Sequence, residues 1–177
     1  TLGIIKMEVQ FSYMKPALFP IPFITLLLIT HTAVGQQNPD SLFNRDSVVS
    51  YAKSCLGSPY KYTAAGPSSF DCSGFVYYVF RHFGVSVPHS SRMLADIGIP
   101  VSEDSCMKGD IIIFRGTRPK ITTAGHVGIV ISETGMPVQF IHASSSKNHN
   151  GVVISELNSP GYRKRFIGIR RLTGKNN

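Results

Sequence analysis

Asp71-Cys72-Ser73-Gly74-Phe75-Val76-Tyr77-Tyr78-Val79-Phe80-Arg81-His82-Phe83-Gly84 decides what kind of domain this chain forms. Val76, Val79, Phe80 and Phe83 recur at i, i+3, i+4 and i+7, the apolar stripe of a helix packed on a core. Asp71 is a capping residue at its start and Gly84 supplies its stop. Cys72 therefore falls in the first turn, where backbone N–H groups are unpaired and the helix dipole is positive. That setting favours a thiolate and lowers a cysteine pKa from about 8.5. A free cysteine is more often a buried, inert core residue. The small pair Ser73-Gly74 argues instead for an approachable nucleophile.

Upstream, Asp46 or Ser47 can cap a helix with Val48, Ala52, Cys55 and Leu56 at helical spacing, ending at Gly57. Pro59 to Ser69 reads as an irregular loop, and Pro88 to Lys108 as a polar one. Beyond these the pattern changes to short β-branched segments at 110–114, 125–132, 137–144, 152–157 and 166–172. Helices first and strands afterwards describe an α+β domain, its N-terminal helices packed on an antiparallel sheet.

A cysteine nucleophile needs a base, and the base an orienting group. Strand alternation places His126, Gly128 and Val130 on one face, and Val138, Phe140 and His142 on one face of the next strand. A three-residue hairpin loop at Glu133-Thr134-Gly135 would set His126 directly opposite His142, about 5 Å apart at Cβ. A two-residue loop would put them on opposite faces. His82 reads as helix surface and His149 as loop. Cys55 and Cys106 read as core cysteines; a disulfide between them is possible but has nothing to support it.

The run from Ala17 to Thr30 is uncharged, follows Lys15, and leads to Ala33-x-Gly35. It is too short for a membrane span of about 20 residues and fits a secretory signal peptide, with Met7 or Met14 as the natural start. The expected organisation is 1–35 upstream residues and signal peptide, 36–45 linker, 46–172 one domain, and 173–177 tail. Without the leader the formal charge falls from +8 to +7. Export argues against the nucleic acid that a basic domain often binds, and toward anionic polymers of the cell surface. Arg163-Lys164-Arg165 and Arg170-Arg171 account for much of the excess, as a guarded edge strand or as a binding patch. No cysteine stands near the leader's exit to carry a lipid, and no CxxC or HxxxH pair suggests zinc.

The chain resembles the NlpC-type cell-wall cysteine peptidases. The resemblance rests on Leu56-Gly57-Ser58-Pro59-Tyr60, Phe70 to Val76 (FDCSGFV), Gly109-Asp110-Ile111, His126 to Val130 (HVGIV) and Phe140 to Ser144 (FIHAS), in family order from about Val48 to Leu172. It implies a papain-like core, no cofactor or metal, and a monomer without a stable membrane anchor, secreted or periplasmic. It further implies hydrolysis of peptidoglycan stem peptides or muropeptides through an acyl-enzyme. Cys72 would be the nucleophile, His126 the base holding the thiol proton, and His142 the third polar residue. The bond implied is γ-D-glutamyl–diaminopimelate, with the D-alanyl–diaminopimelate crosslink or an inactive wall-binding module as alternatives. Tyr60, Asp71, Ser73, His89 and Ser90 are the implied substrate contacts. Two departures stand out: Thr63-Ala64 where the family often has two glycines, and His89 and Leu94 where Arg and Gln are usual.

Overall fold

A computed structural model of the protein describes residues 43–118 and 120–173. The expected signal peptide and most of the linker lie outside the described residues, as does nearly all of the tail. Helices α1 (Arg45–Ser54) and α2 (Cys72–His82) precede a short α3 (Ser91–Leu94). Strands β1 (Ile99–Val101), β2 (Ile111–Arg115), β3 (Ala124–Val130), β4 (Gln139–Ser146) and β5 (His149–Glu156) follow. A one-turn α4 (Pro160–Arg163) leads to β6 (Phe166–Arg171). The strands form one sheet in the order β1-β6-β2-β3-β4-β5, and every pairing is antiparallel. The α+β class expected from the helix-then-strand pattern is the fold observed.

Strand alternation divides the core between the two faces of the sheet. Ile111, Ile113, Val127, Ile129, Ile141 and Ala143 pack with Phe75, Val76, Val79 and Phe80 of α2 and with Val48 and Ala52 of α1. On the opposite face Ile112, Phe114, Val130, Phe140 and Ile169 pack with Cys106 and Leu157, and Tyr162 of α4 lies against them. Cys55 and Cys106 are buried in these separate clusters and both are free thiols, so they do not pair.

Several local expectations are corrected. The cap of α1 is Asn44, whose side chain accepts from the Ser47 N–H, and not Asp46 or Ser47. Phe43, assigned to the linker, is a core residue with its ring 5.2 Å from that of Phe80. The stretch from Pro88 to Lys108 is no simple loop: it holds α3, which buries Leu94 completely, and the edge strand β1. β6, whose arginines read as a guarded edge strand or a binding patch, lies between β1 and β2, and its Arg171 reaches inward. The Arg171 guanidinium and that of Arg45 hold Asp110, which is fully buried, with Nη2–Oδ2 2.7 Å and Nη1–Oδ1 3.2 Å. Arg163 likewise forms a two-pronged pair with Glu103 at 2.6 and 2.8 Å.

Candidate active site

Cys72 is the first residue of α2, and Asp71 caps the helix by accepting the Gly74 N–H at 2.7 Å. That bond satisfies the third N–H of the helix and leaves those of Cys72 and Ser73 without a backbone partner. The approach of the preceding loop is close: a Cβ on Gly74 would collide with the Ala64 carbonyl and come 2.9 Å from His89 Nε2. Only glycine fits there. The loop reaches this position with Thr63 at φ +61°, a left-handed conformation for a β-branched residue. This is the backbone demand expected where the two family glycines are missing.

The Cys72 thiol is half-buried and shares a hydrogen bond with Ser91 Oγ at 3.5 Å. Burial pushes its pKa up, and the hydrogen bond from Ser91 pulls it down. The Asp71 carboxylate raises it further, while backbone N–H groups of Ser73 and Val127 lower it. Burial is the largest of these effects and opposes the thiolate expected from the helix start. The sulfur lies beside the backbone of Val127, the residue after His126.

His126 and His142 stand on one face, as alternation required, and His126 Nε2 lies 3.0 Å from His142 Nδ1. Their rings meet edge to face at 89°. The expected register is nevertheless wrong by two. β3 and β4 pair Ile129 with Ile141 and Val130 with Phe140, and the Ile131 N–H goes to the Gln139 carbonyl. Pro137 has no N–H to give to a ladder, so pairing begins two residues later than a Glu133–Gly135 loop would allow. Continued, the register sets Gly128 opposite His142, and His126 meets His142 diagonally. A slip of two preserves the faces where a slip of one would have separated them.

His142 is fully buried. Its Nε2 lies 3.0 Å from Ser155 Oγ on β5 and 3.1 Å from the Tyr162 hydroxyl of α4. Burial lowers its pKa to about 4, with Arg165 adding to the effect and the Ala143 backbone opposing it. Burial also holds His126 well below the ordinary imidazole value, helped by His142 and by Arg165. Burial thus works against the imidazolium expected on His126. Ser155 and Tyr162 were not singled out from the sequence. Ser155 stands two residues beyond the strand partner of His142, which a β4–β5 register would have revealed, but nothing local marks Tyr162.

Of the expected substrate contacts, Asp71, Ser73 and His89 are joined to one another. The Ser73 hydroxyl donates to Asp71 Oδ1 at 3.1 Å, and His89 Nε2 lies 3.0 Å from both carboxylate oxygens. Tyr60 bridges to Phe70, and burial raises its pKa, with Cys72 and Asp71 adding to the effect. The Ser90 hydroxyl caps α3, accepting from Met93 N, and its neighbour Ser91 faces the thiol. Among the described residues no group of three His, Cys, Asp or Glu side chains is placed to hold a metal ion. Nor is any described helix long and apolar enough to cross a membrane.

A cysteine at a helix start, laid on an antiparallel sheet that carries an imidazole pair, defines a papain-like α+β architecture. The chain belongs to the NlpC/P60 family, whose pattern it matches over residues 57–171. It is 36% identical over 120 residues to the Escherichia coli K12 protein named murein DD-endopeptidase MepS/murein LD-carboxypeptidase. It is 32% identical over 126 residues to the gamma-D-glutamyl-L-lysine dipeptidyl-peptidase of Bacillus cereus. These alignments cover 67% and 71% of this chain but only 58% and 36% of the relatives' lengths. A crystal structure of an NlpC/P60 family protein from Bacillus cereus superposes with a TM-score of 0.64 at 29% identity, over 75% of this chain and 41% of that one.

Proposed function

We propose that this protein is an exported cysteine peptidase that cuts amide bonds in peptidoglycan stem peptides through Cys72, His126 and His142. The observation that carries the reading is the hydrogen-bonded line from His126 through His142 to Ser155 and Tyr162, whose His126 end adjoins Val127, the residue that flanks the thiol. Export rests on the uncharged run from Ala17 to Thr30.

On this reading the hydrogen bonds imply a proton inventory. With His126 Nε2 engaged by His142, Nδ1 is the nitrogen left to take the Cys72 proton. Nδ1 can accept only in the tautomer that carries its proton on Nε2 and donates it to His142 Nδ1. His142 then carries its own proton on Nε2, shared between the Ser155 and Tyr162 oxygens. His142 thus fixes the tautomer and stays neutral, as the orienting member of a triad does. In the first step the sulfur attacks the scissile carbonyl while His126 removes the thiol proton, so a neutral pair works by general-base catalysis. The N–H of Cys72, without a backbone partner at the helix start, is available to the developing oxyanion. His126 then returns the proton to the leaving amine, and water releases the acyl group by the same route.

The bond we favour is γ-D-glutamyl–diaminopimelate, in line with the γ-D-glutamyl specificity in the name of the Bacillus cereus relative. The name of the Escherichia coli relative favours the crosslink instead. Defined muropeptides incubated with the protein and with Cys72→Ala, read by mass spectrometry, separate the two. Release of L-Ala-D-Glu supports the first bond, and dimers falling to monomers the second. Intact muropeptides in both reactions would leave a wall-binding module and refute the peptidase.

A further inference from the structure

Beside His126, on the sheet face away from α2, two arginines are held against each other. The Arg165 Nη1 donates to the Arg115 carbonyl at 3.0 Å, its Nε donates to the Gly161 carbonyl at 2.9 Å, and the Arg115 Nη2 donates to the Lys164 carbonyl. The Arg165 guanidinium carbon lies 5.0 Å from the Tyr162 ring centre and 6.0 Å from that of Phe114. The same two rings frame His126, at 6.3 and 6.0 Å between centroids. Phe114 is also the strand partner of His126. Backbone and aromatic contacts thus fix a half-buried cation next to the imidazole.

What it lacks is a counter-charge. Among the described residues no carboxylate lies within ion-pair distance of Arg115, Lys164 or Arg165, whereas Arg45, Lys108, Arg163 and Arg171 each have one. A partly desolvated charge without a partner is costly. Arg165 has used two of its five N–H donors, and the rest suit the planar fork of a carboxylate. Position says which carboxylate. On the peptidase reading His126 protonates the leaving amine, and Arg165 shares with His126 the rings of Tyr162 and Phe114, so the leaving fragment is the part of the substrate nearest to it.

We propose that Arg165, with Arg115 beside it, forms an anion subsite that binds a free carboxylate on the leaving fragment of the stem peptide. The inference rests on the peptidase reading above and adds a requirement to it: the protein should prefer substrates whose leaving fragment retains an unamidated carboxylate.

Two synthetic stem peptides with the same scissile bond test this, one with a free carboxylate on the leaving fragment and one with a carboxamide. With the full chain, the free acid should be cut with kcat/KM about tenfold higher or more, the difference residing in KM. Arg165→Gln should erase the preference, and Arg165→Lys should retain part of it. Equal cleavage of both peptides by the unsubstituted protein overturns the subsite and leaves the peptidase standing. So does a preference that survives in Arg165→Gln. Cleavage of neither peptide refutes the peptidase reading and the subsite with it.

Discussion

Acid should destabilise this protein through His142. The ring is fully buried and meets His126, Ser155 and Tyr162, and burial lowers its pKa to about 4 from the ordinary 6.5. In the unfolded chain it titrates near the ordinary value, so below that the unfolded state binds a proton that the folded state refuses. Stability is therefore complete above the unfolded pKa and is lost as the pH falls toward the folded one. Integrating the two titration curves between about pH 7.5 and about pH 4.5 gives a loss of about 2–3 kcal/mol from this residue. His126, also held below its ordinary value, adds to the loss in the same direction. A domain's whole stability is about 5–15 kcal/mol, so the effect is measurable. Urea unfolding of the protein and of His142→Gln at the two pH values isolates it. The variant should be weaker near neutrality, having lost the imidazole's contacts, yet its decline toward acid should be smaller by about the amount computed. Equal declines would show that His142 is not held neutral by the fold, and the tautomer argument for His126 would fall with it.

With Cys72 raised by burial and His126 lowered, iodoacetamide labelling of Cys72 should stay slow at neutral pH and climb only in the alkaline range; a fast plateau at neutral pH would establish a thiolate–imidazolium pair instead. Thr63→Gly relieves a left-handed β-branched residue, worth about 1–2 kcal/mol, against about 0.5–1 kcal/mol of added chain entropy. It should raise the thermal midpoint slightly, and a lowered midpoint would mean that the loop is not strained at φ +61°. A Cβ on Gly128 would sit 2.9 Å from the Ile141 carbonyl and 3.1 Å from His142 Cβ, whereas one on Gly168 meets open space. Gly128→Ala should cost about 1–3 kcal/mol as overpacking and lower turnover of a stem peptide; Gly168→Ala should change neither. A fully active Gly128→Ala protein would show that the spacing of β3 and β4 does not matter to the site.

Much of this site was legible because its signals are local. The apolar stripe of α2, the cap at Asp71 and the stop at Gly84 are written within fourteen consecutive residues, and they put Cys72 at a helix start without reference to the rest of the chain. Parity did the same for the histidines: alternation fixes faces whatever the loop, and a register wrong by two left His126 and His142 together. What local pattern could not deliver was anything set by tertiary distance. Whether Cys72 is a thiol or a thiolate depends on how much protein closes over the helix start. The helix end alone argues for the thiolate, and burial opposes it. Tyr162 reaches His142 from a one-turn helix with no periodicity to read. The Arg163–Arg165 cluster looked like one patch in the sequence, yet Arg163 is tied to Glu103 while Arg165 turns to the rings around His126.

The sheet itself makes room for the chemistry by giving up hydrogen bonds. β4 pairs with β5 along eight residues, but β3 pairs with β4 at only two, Ile129 and Val130. Toward Gly125 the two strands part, and that is where the Val127 backbone turns to the sulfur of Cys72 and where His126 leans across to His142. Longer pairing would have spent the Val127 N–H on a β4 carbonyl and set His126 squarely opposite a residue further along β4. Pro137, by delaying the start of the ladder, and Gly128, by letting the strands approach without a side chain between them, fix where the parting begins. The helix that carries Cys72 and the strand that carries His126 therefore meet at a gap in the ladder. The strict alternation on either side of that gap keeps the apolar core closed around it.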